Sequence, residues 1–239
     1  MRVLALDSSG IVASVAVVED DTLVAEYTVN YKKTHSQTLL PMLDEIVKMT
    51  DLDLKTIDAI AVAKGPGSFT GLRIGIGAVK GLAMGAQKPC IGISTLEALA
   101  QNLFGIQGII CAVMDARCNQ VYTASFTMKC GELSRVTADE ACSIDTLQKG
   151  LRGYIEPITL VGDGAALCYE KLKKHIPAIQ IAAPENRLQR AASVAACAYR
   201  RAGEAIDAAA LTPLYLRLPQ AERERLARQQ KPEEQLNGK

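Results

Sequence analysis

The chain has 239 residues, 49% of them hydrophobic, which is enough apolar mass for one large or two smaller cores and excludes a disordered chain. Lys and Arg number 27 against 26 Asp and Glu, a net charge of +1, so no broad field draws the protein to nucleic acid or an anionic membrane. Seven cysteines without a Cys-x-x-Cys pair, and only two histidines, argue against a disulfide framework and make an imidazole-rich metal site hard to build.

Residues 2–7 form an apolar run closed by Asp7, too short for a secretory leader. With residues 11–18 they read as two strands around a Ser-Ser-Gly turn, and residues 22–29 as a third. Helical spacing follows over 34–49, with Leu39, Leu43, Ile46 and Val47 on one side and Pro41 acceptable only in a first turn. Residues 57–63 read as a strand, 65–67 as a glycine-proline loop, 72–86 as a glycine-rich helix and 91–93 as the start of another strand. Residues 109–115 and 120–128 then repeat the opening theme of a strand ending in Asp, a turn and a β-rich strand.

That restart divides the chain into an N-terminal lobe, 1–105, and a C-terminal lobe, 106–217. In the second, helices are expected near 144–152, 165–175 and 189–202, with a strand at 159–161. Residues 218–239 are charged and lack an apolar period, so a flexible tail is expected. No apolar stretch reaches the roughly 18 residues of a membrane span, and a soluble, cytoplasmic α/β protein is the expectation.

The loop Gly65-Pro66-Gly67-Ser68-Phe69-Thr70-Gly71 lies between a strand and a helix, where backbone N–H groups and the helix dipole favour an anion. Walker A fails for want of its Lys, and the dinucleotide fingerprint fails at Thr70. Glycines here also serve a tight turn and close helix packing. Asp7, Ser8 and Ser9 close the first strand and Asp115 closes its counterpart, so the two aspartates could hold a metal-phosphate group between lobes; a strand-end Asp is equally a turn former. Gly162, Asp163 and Gly164 offer a turn that contacts a nucleotide base or connects two elements. No nucleophile frame accompanies Ser68 or Ser94, and His35 reads as a capping or surface residue. No catalytic residue and no metal ligand is assigned.

Leu4-Ala5-Leu6-Asp7-Ser8-Ser9, His35-Ser36-Gln37-Thr38-Leu39-Leu40-Pro41, the glycine loop with Leu72-Arg73-Ile74-Gly75, Ser94-Thr95-Leu96-Glu97-Ala98-Leu99, Asp115-Ala116-Arg117 and Pro213-Leu214-Tyr215-Leu216-Arg217 together resemble the bacterial TsaB (YeaZ) family over nearly the whole chain. The resemblance implies an actin and Hsp70-like ATPase fold, known as ASKHA, with two related lobes of mixed sheets flanked by helices. It also implies a role in making N6-threonylcarbamoyladenosine at position 37 of tRNAs reading ANN codons. In that family the chemistry belongs to the paralogue TsaD, which holds a metal with a His-x-x-x-His pair. Thr95 and Leu99 stand at the corresponding positions here, and neither side chain replaces an imidazole ligand.

The implied role is therefore a non-catalytic subunit that pairs with TsaD, meets TsaE through the complex and touches tRNA indirectly. The resemblance further implies no tightly bound cofactor, with ATP acting through the complex, and homodimer formation as an option when the chain is alone. The helix over 72–86 carries one apolar stripe for the chain's own core, Leu72, Ile76, Val79 and Ala83. Its other side gathers Gly71, Ile74, Gly75, Ala78, Gly81, Leu82 and Gly85. That side, with Leu39, Leu43 and Ile46, is the expected TsaD interface. The competing reading is a nucleotide-dependent enzyme of the sugar-kinase or acetate-kinase type.

Overall fold

A computed structural model describes residues 1–217, so the tail expected over 218–239 lies outside the described residues. Five strands, β1 (Arg2–Asp7), β2 (Ala13–Glu19), β3 (Thr22–Val29), β4 (Ala59–Gly65) and β5 (Cys90–Ser94), form a sheet in the order β3-β2-β1-β4-β5. The first three are antiparallel neighbours, whereas β4 and β5 run parallel to β1. A second sheet repeats this plan with β6 (Ile109–Asp115), β7 (Gln120–Lys129), β8 (Glu132–Arg135), β9 (Glu140–Ser143), β10 (Ile158–Val161) and β11 (Ile179–Ile181). Here β6 and β7 make the antiparallel hairpin, and β10 and β11 are the parallel additions.

Alternation along β1 sorts the core onto two faces. Leu4 and Leu6 point to α1 (His35–Met49) and α2 (Phe69–Ala86), while Val3 and Ala5 point to α7 (Ala191–Arg200). In the second lobe, α4 (Ile144–Leu151) and α5 (Ala165–Leu172) cover one face of the sheet and α3 (Thr95–Gln101) covers the other. The short α6 (Pro184–Arg187) precedes α7. Because α3 and α7 also pack on each other, they form a shared layer between the two sheets.

Three expectations need correction. Pro41 sits well inside α1, where its missing N–H leaves the Gln37 carbonyl without its helical donor; Gln37 is exposed, so water reaches that carbonyl. Helix α2 begins at Phe69 rather than 72, because Ser68 caps it by accepting from Gly71 N at 3.2 Å. The lobes are also not divided by sequence at 105. Residues 191–200 pack on the first sheet, Ile206 pairs with Cys90 as an antiparallel bridge, and Ala208 and Leu211 join the core beneath α2. The chain leaves the first lobe, builds the second and returns to finish the first.

Leu211 is 1% exposed within that core. Leu211→Ala should cost about 2–5 kcal/mol in urea unfolding, as for other buried leucines. A cost below about 1 kcal/mol would mean that the first lobe is complete without the returning segment.

Candidate functional site

The two hairpins β1–β2 and β6–β7 face each other across a cleft of about 360 Å³ lined by Ser9, Gly10, Ile11, Gly67, Ser68, Phe69, Met114, Asp115, Ala116, Arg117, Tyr122 and Asp163. Of the seven residues expected to meet a nucleotide, the structure brings Ser9, Asp115 and Asp163 to this cleft. The remaining four do other work.

Asp7 is fully buried and does not reach the cleft. Its Oδ1 accepts from Ser9 N at 2.8 Å and from Ser9 Oγ at 2.6 Å. In the second lobe, Asp115 Oδ1 accepts from Arg117 N at 2.8 Å. Each strand-end aspartate thus closes an Asx turn two residues on, and the turn-forming role that competed with phosphate binding occupies both. Ser8 Oγ donates to the Gly71 carbonyl at 2.9 Å. Gly162, at φ +113°, has no room for a Cβ against the Val113 carbonyl, Gly164 N donates to that same carbonyl at 3.2 Å, and Asp163 Oδ1 accepts from Asp115 N at 3.1 Å. The Gly162-Asp163-Gly164 turn therefore ties the end of β10 to the end of β6. Asp163 is mostly buried, and that burial raises its carboxyl pKa.

The glycine loop meets the first hairpin backbone to backbone. Ser68 N donates to Ser9 O at 2.7 Å, and a Cβ at Gly67 or Gly71 would collide with the Ser9 or Ser8 carbonyl. At the start of α2, Ser68 N and Gly71 N are thereby engaged within the chain, as are Ser9 N and Arg117 N on the two hairpins. With Asp7 inaccessible and Asp115 Oδ1 and Asp163 Oδ1 each holding a main-chain N–H, these carboxylates do not fit a magnesium-bound triphosphate.

Several contributors escaped the sequence reading. Arg117, Cys118 and Asn119 all have left-handed φ, at 65°, 53° and 59°, a conformation that costs non-glycine residues about 1–2 kcal/mol each. The turn is held by Ala116 N to Gln120 O at 3.0 Å, by the contact of Lys171 Nζ with Asn119 Oδ1, and by Arg217 Nη1 donating to Ala116 O at 2.6 Å. At the cleft mouth, Tyr215 stacks on Phe69 with centroids 4.8 Å apart, and the Arg73 guanidinium lies 3.9 Å over the same Phe69 ring while its Nε donates to Tyr215 Oη at 3.2 Å. His35, read as a cap or surface side chain, instead bonds through Nε2 to the Gly10 carbonyl at 2.9 Å and pins the first hairpin.

The expected interface residues separate into three groups. Leu39, Leu43 and Ile46 are buried in the first core, so they present no free surface; Ile74, Ala78 and Leu82 are partly buried against the same core. Gly71 and Gly75 face Ser8 inside the chain. Around Gly81 and Gly85, and around Gly77 one turn before them, the space is open. The apolar side chains that are exposed on these two helices are Leu40, Met49 and Met84. Thr95 and Leu99 are both buried, and a Cβ at Gly162 would lie 3.2 Å from Leu99 Cδ1. Among the described residues, no group of three His, Cys, Asp or Glu side chains is placed to share a metal ion, and no helix is long and apolar enough to cross a membrane.

Comparison with known proteins gives a consistent pattern. Residues 22–225 match the family model described as TsaD, tRNA N6-adenosine threonylcarbamoyltransferase. The Bacillus subtilis tRNA threonylcarbamoyladenosine biosynthesis protein TsaB is 33% identical over 225 residues, covering 93% of this chain and 96% of that protein. The crystal structure of YeaZ from Pseudomonas aeruginosa superposes with a TM-score of 0.75 at 29% identity, covering 90% of this chain and 99% of the other. The ethanolamine utilization protein EutJ from Carboxydothermus hydrogenoformans shares the fold, with a TM-score of 0.51 at 13% identity over 82% of this chain and 89% of the other.

Burial pushes the Asp7 carboxyl up from 3.8 to about 6, against the opposing pull of its two Ser9 bonds. The folded state then holds the proton more tightly than the unfolded chain, so the stabilisation is full below about pH 4 and is lost as pH rises through about 6. Asp7→Asn, which keeps an acceptor for Ser9 and removes the charge, should raise stability at pH 8 by up to about 3 kcal/mol. The advantage should shrink towards pH 4. Thermal melts with the same difference at both pH values would contradict this account of Asp7.

Proposed function

Since the chain belongs to the TsaD family and, within it, to the TsaB proteins of tRNA threonylcarbamoyladenosine biosynthesis, we propose that it is the non-catalytic partner of TsaD, acting by heterodimerisation through the helices of its first lobe. The observation that carries the non-catalytic reading is at positions 95 and 99. A TsaD-type metal needs imidazoles there, whereas this chain has a buried hydroxyl and a buried isobutyl group, the latter packed towards Gly162. Substrate threonylcarbamoyl and the ANN-reading tRNA would then be handled by TsaD, with TsaE joining through the complex and ATP acting there rather than on the lone chain. Self-pairing in the absence of TsaD would use the same helix face.

A second reading, a nucleotide-dependent enzyme of the sugar-kinase type, draws on the cleft itself and its two carboxylates, Asp115 and Asp163. The burial of Asp7 beneath its turn, out of reach of the cleft, weighs against it. Steady-state ATP hydrolysis by the purified chain separates the two, since a partner subunit is nearly silent alone.

The interface is tested at Gly81, where an added Cβ meets nothing within 4 Å in the chain's own fold. Gly81→Leu also removes a helix cost of up to about 1 kcal/mol. The variant should keep or slightly raise the melting temperature and fail to co-elute with TsaD. Normal co-elution would refute the use of this face. Depletion of the protein should lower threonylcarbamoyladenosine among tRNA nucleosides, and an unchanged level by mass spectrometry would refute the pathway role.

A further inference from the structure

The first sheet ends differently on its two sides. At one end Ile206 of the returning segment bridges to Cys90 of β5. At the other, β3 has no neighbouring strand beyond it among the described residues, so one row of its N–H and C=O groups is unpaired. Leu23 and Val24 are 44% exposed and Tyr27 46%. Soluble proteins usually blunt such an edge with Lys, Pro or a bulge. β3 contains neither Lys nor Pro, and its one charge, Glu26, is turned to Arg190. It does carry a bulge at Val24, where the pairing with β2 steps from Ala25 opposite Val17 to Leu23 opposite Val18. Residues 25–29 remain as the regular part of the edge.

Tyr27 lies opposite Val15, which belongs to the core beneath α1, so Ala25, Tyr27 and Val29 share the α1 face of the strand. On that face Ala25, Glu26 and Tyr27 form a groove of about 320 Å³ with Glu45, Ile46 and Met49 of α1. The ends of the strand are oppositely charged: Asp20 and Asp21 precede it, Lys32 and Lys33 follow it, and all four are exposed. Asp20 contacts the amino terminus, so Asp21 is the acidic group available to a partner. No ion pair among the described residues engages Lys32 or Lys33.

An antiparallel copy of the same strand satisfies both charged ends at once. With a two-fold axis at Tyr27, Ala25 faces the partner's Val29, Glu26 faces the partner's Thr28, the two tyrosines meet beside the grooves, and Asp21 comes to the partner's Lys33. A parallel copy would set acid on acid and base on base. We infer that the β3 edge is a self-pairing surface that joins two copies of this chain, antiparallel, into one continuous sheet. The contact uses none of the open glycines of α2 and does not depend on the partner-subunit role.

Sedimentation of the full chain should show its mass doubling as concentration rises, and hydrogen exchange of residues 25–29 should slow over the same range. Gly81→Leu, which obstructs the α2 face, should leave this dimer intact. Asp21→Lys and Lys33→Asp should each weaken it about five- to tenfold, since each turns two attractive contacts into repulsive ones. The double variant, Asp21→Lys with Lys33→Asp, should regain the original dimer, a recovery that misfolding does not produce. Tyr27→Lys, which sets two like charges face to face at the axis, should abolish it. A chain that stays single at every concentration, a dimer lost in Gly81→Leu, or a double variant no better than the single ones would overturn the proposal. So would protection of residues 25–29 at every dilution, which would mean that a segment of the same chain covers the strand. Protection that appears only when TsaD is added would assign the edge to TsaD and overturn it equally.

Discussion

The contact on which the rest of the molecule depends is the backbone-to-backbone approach of the glycine loop to the Ser8-Ser9 turn. Gly67 and Gly71 leave no room for a Cβ against the two serine carbonyls, and Ser68 N completes the junction with a bond to Ser9 O. Because a hydrogen-bonded main-chain contact admits little slack, it fixes where α2 begins relative to β1. It thereby fixes the stripe of α2, including Ile76, Val79 and Ala83, that enters the first core. The same contact engages Ser68 N at the start of the helix, while Gly71 N is taken by the Ser68 hydroxyl.

The second hairpin reaches a similar end by other means. Both strand-end aspartates close Asx turns on the residue two positions later, but the first turn is buried and pinned by His35 on the Gly10 carbonyl, and the second is held by outside anchors. Three consecutive left-handed residues at 117–119 would be costly alone. Lys171 and Arg217 hold the turn from α5 and from the returning C-terminal segment. That segment also places Tyr215 on Phe69 at the first residue of α2. The stretch Pro213 to Arg217 therefore straps the second hairpin to β4 and the start of α2, which gives a physical reason for its place among the sequence motifs.

Much of this was legible in the sequence. The opening strands and the restart at β6 were carried by short apolar, β-rich runs ending in turns, and the core stripe of α2 by a period of 3.6. Strands β8, β9 and β11 were missed because each has three or four residues, too few to express a period. The β7–β8 turn runs through Cys130 and Gly131 with φ values of 51° and 81°, and Cys-Gly lacks the Asn or Asp that normally announces such a turn. At the site, residue types were readable but access was not: the sequence shows Asp7 beside a turn, and only packing shows that its carboxyl lies beneath that turn. Gln189 gave no signal at all, since an isolated Gln ahead of a helix matches no motif, and only packing shows that its amide fills the space over Gly10.

The distribution of glycines along α2 bears on why the helix exposes the face it does. Glycine in a helix interior costs up to about 1 kcal/mol relative to alanine, so each one needs a return. Gly71 and Gly75 find theirs inside the chain, where they let α2 approach Ser8. Gly77, Gly81 and Gly85 meet nothing within 4 Å, so for them the fold supplies no compensating contact. Together they could cost about 3 kcal/mol, a substantial part of a typical domain's net stability. Spacing of four residues places these three on one side of the helix, with Met84 exposed beside them. A smooth, side-chain-free strip of this kind gains energy when a second surface approaches to backbone distance. The internal cost of the strip is therefore what directs the partner-subunit proposal to this face, rather than to the buried leucines of α1.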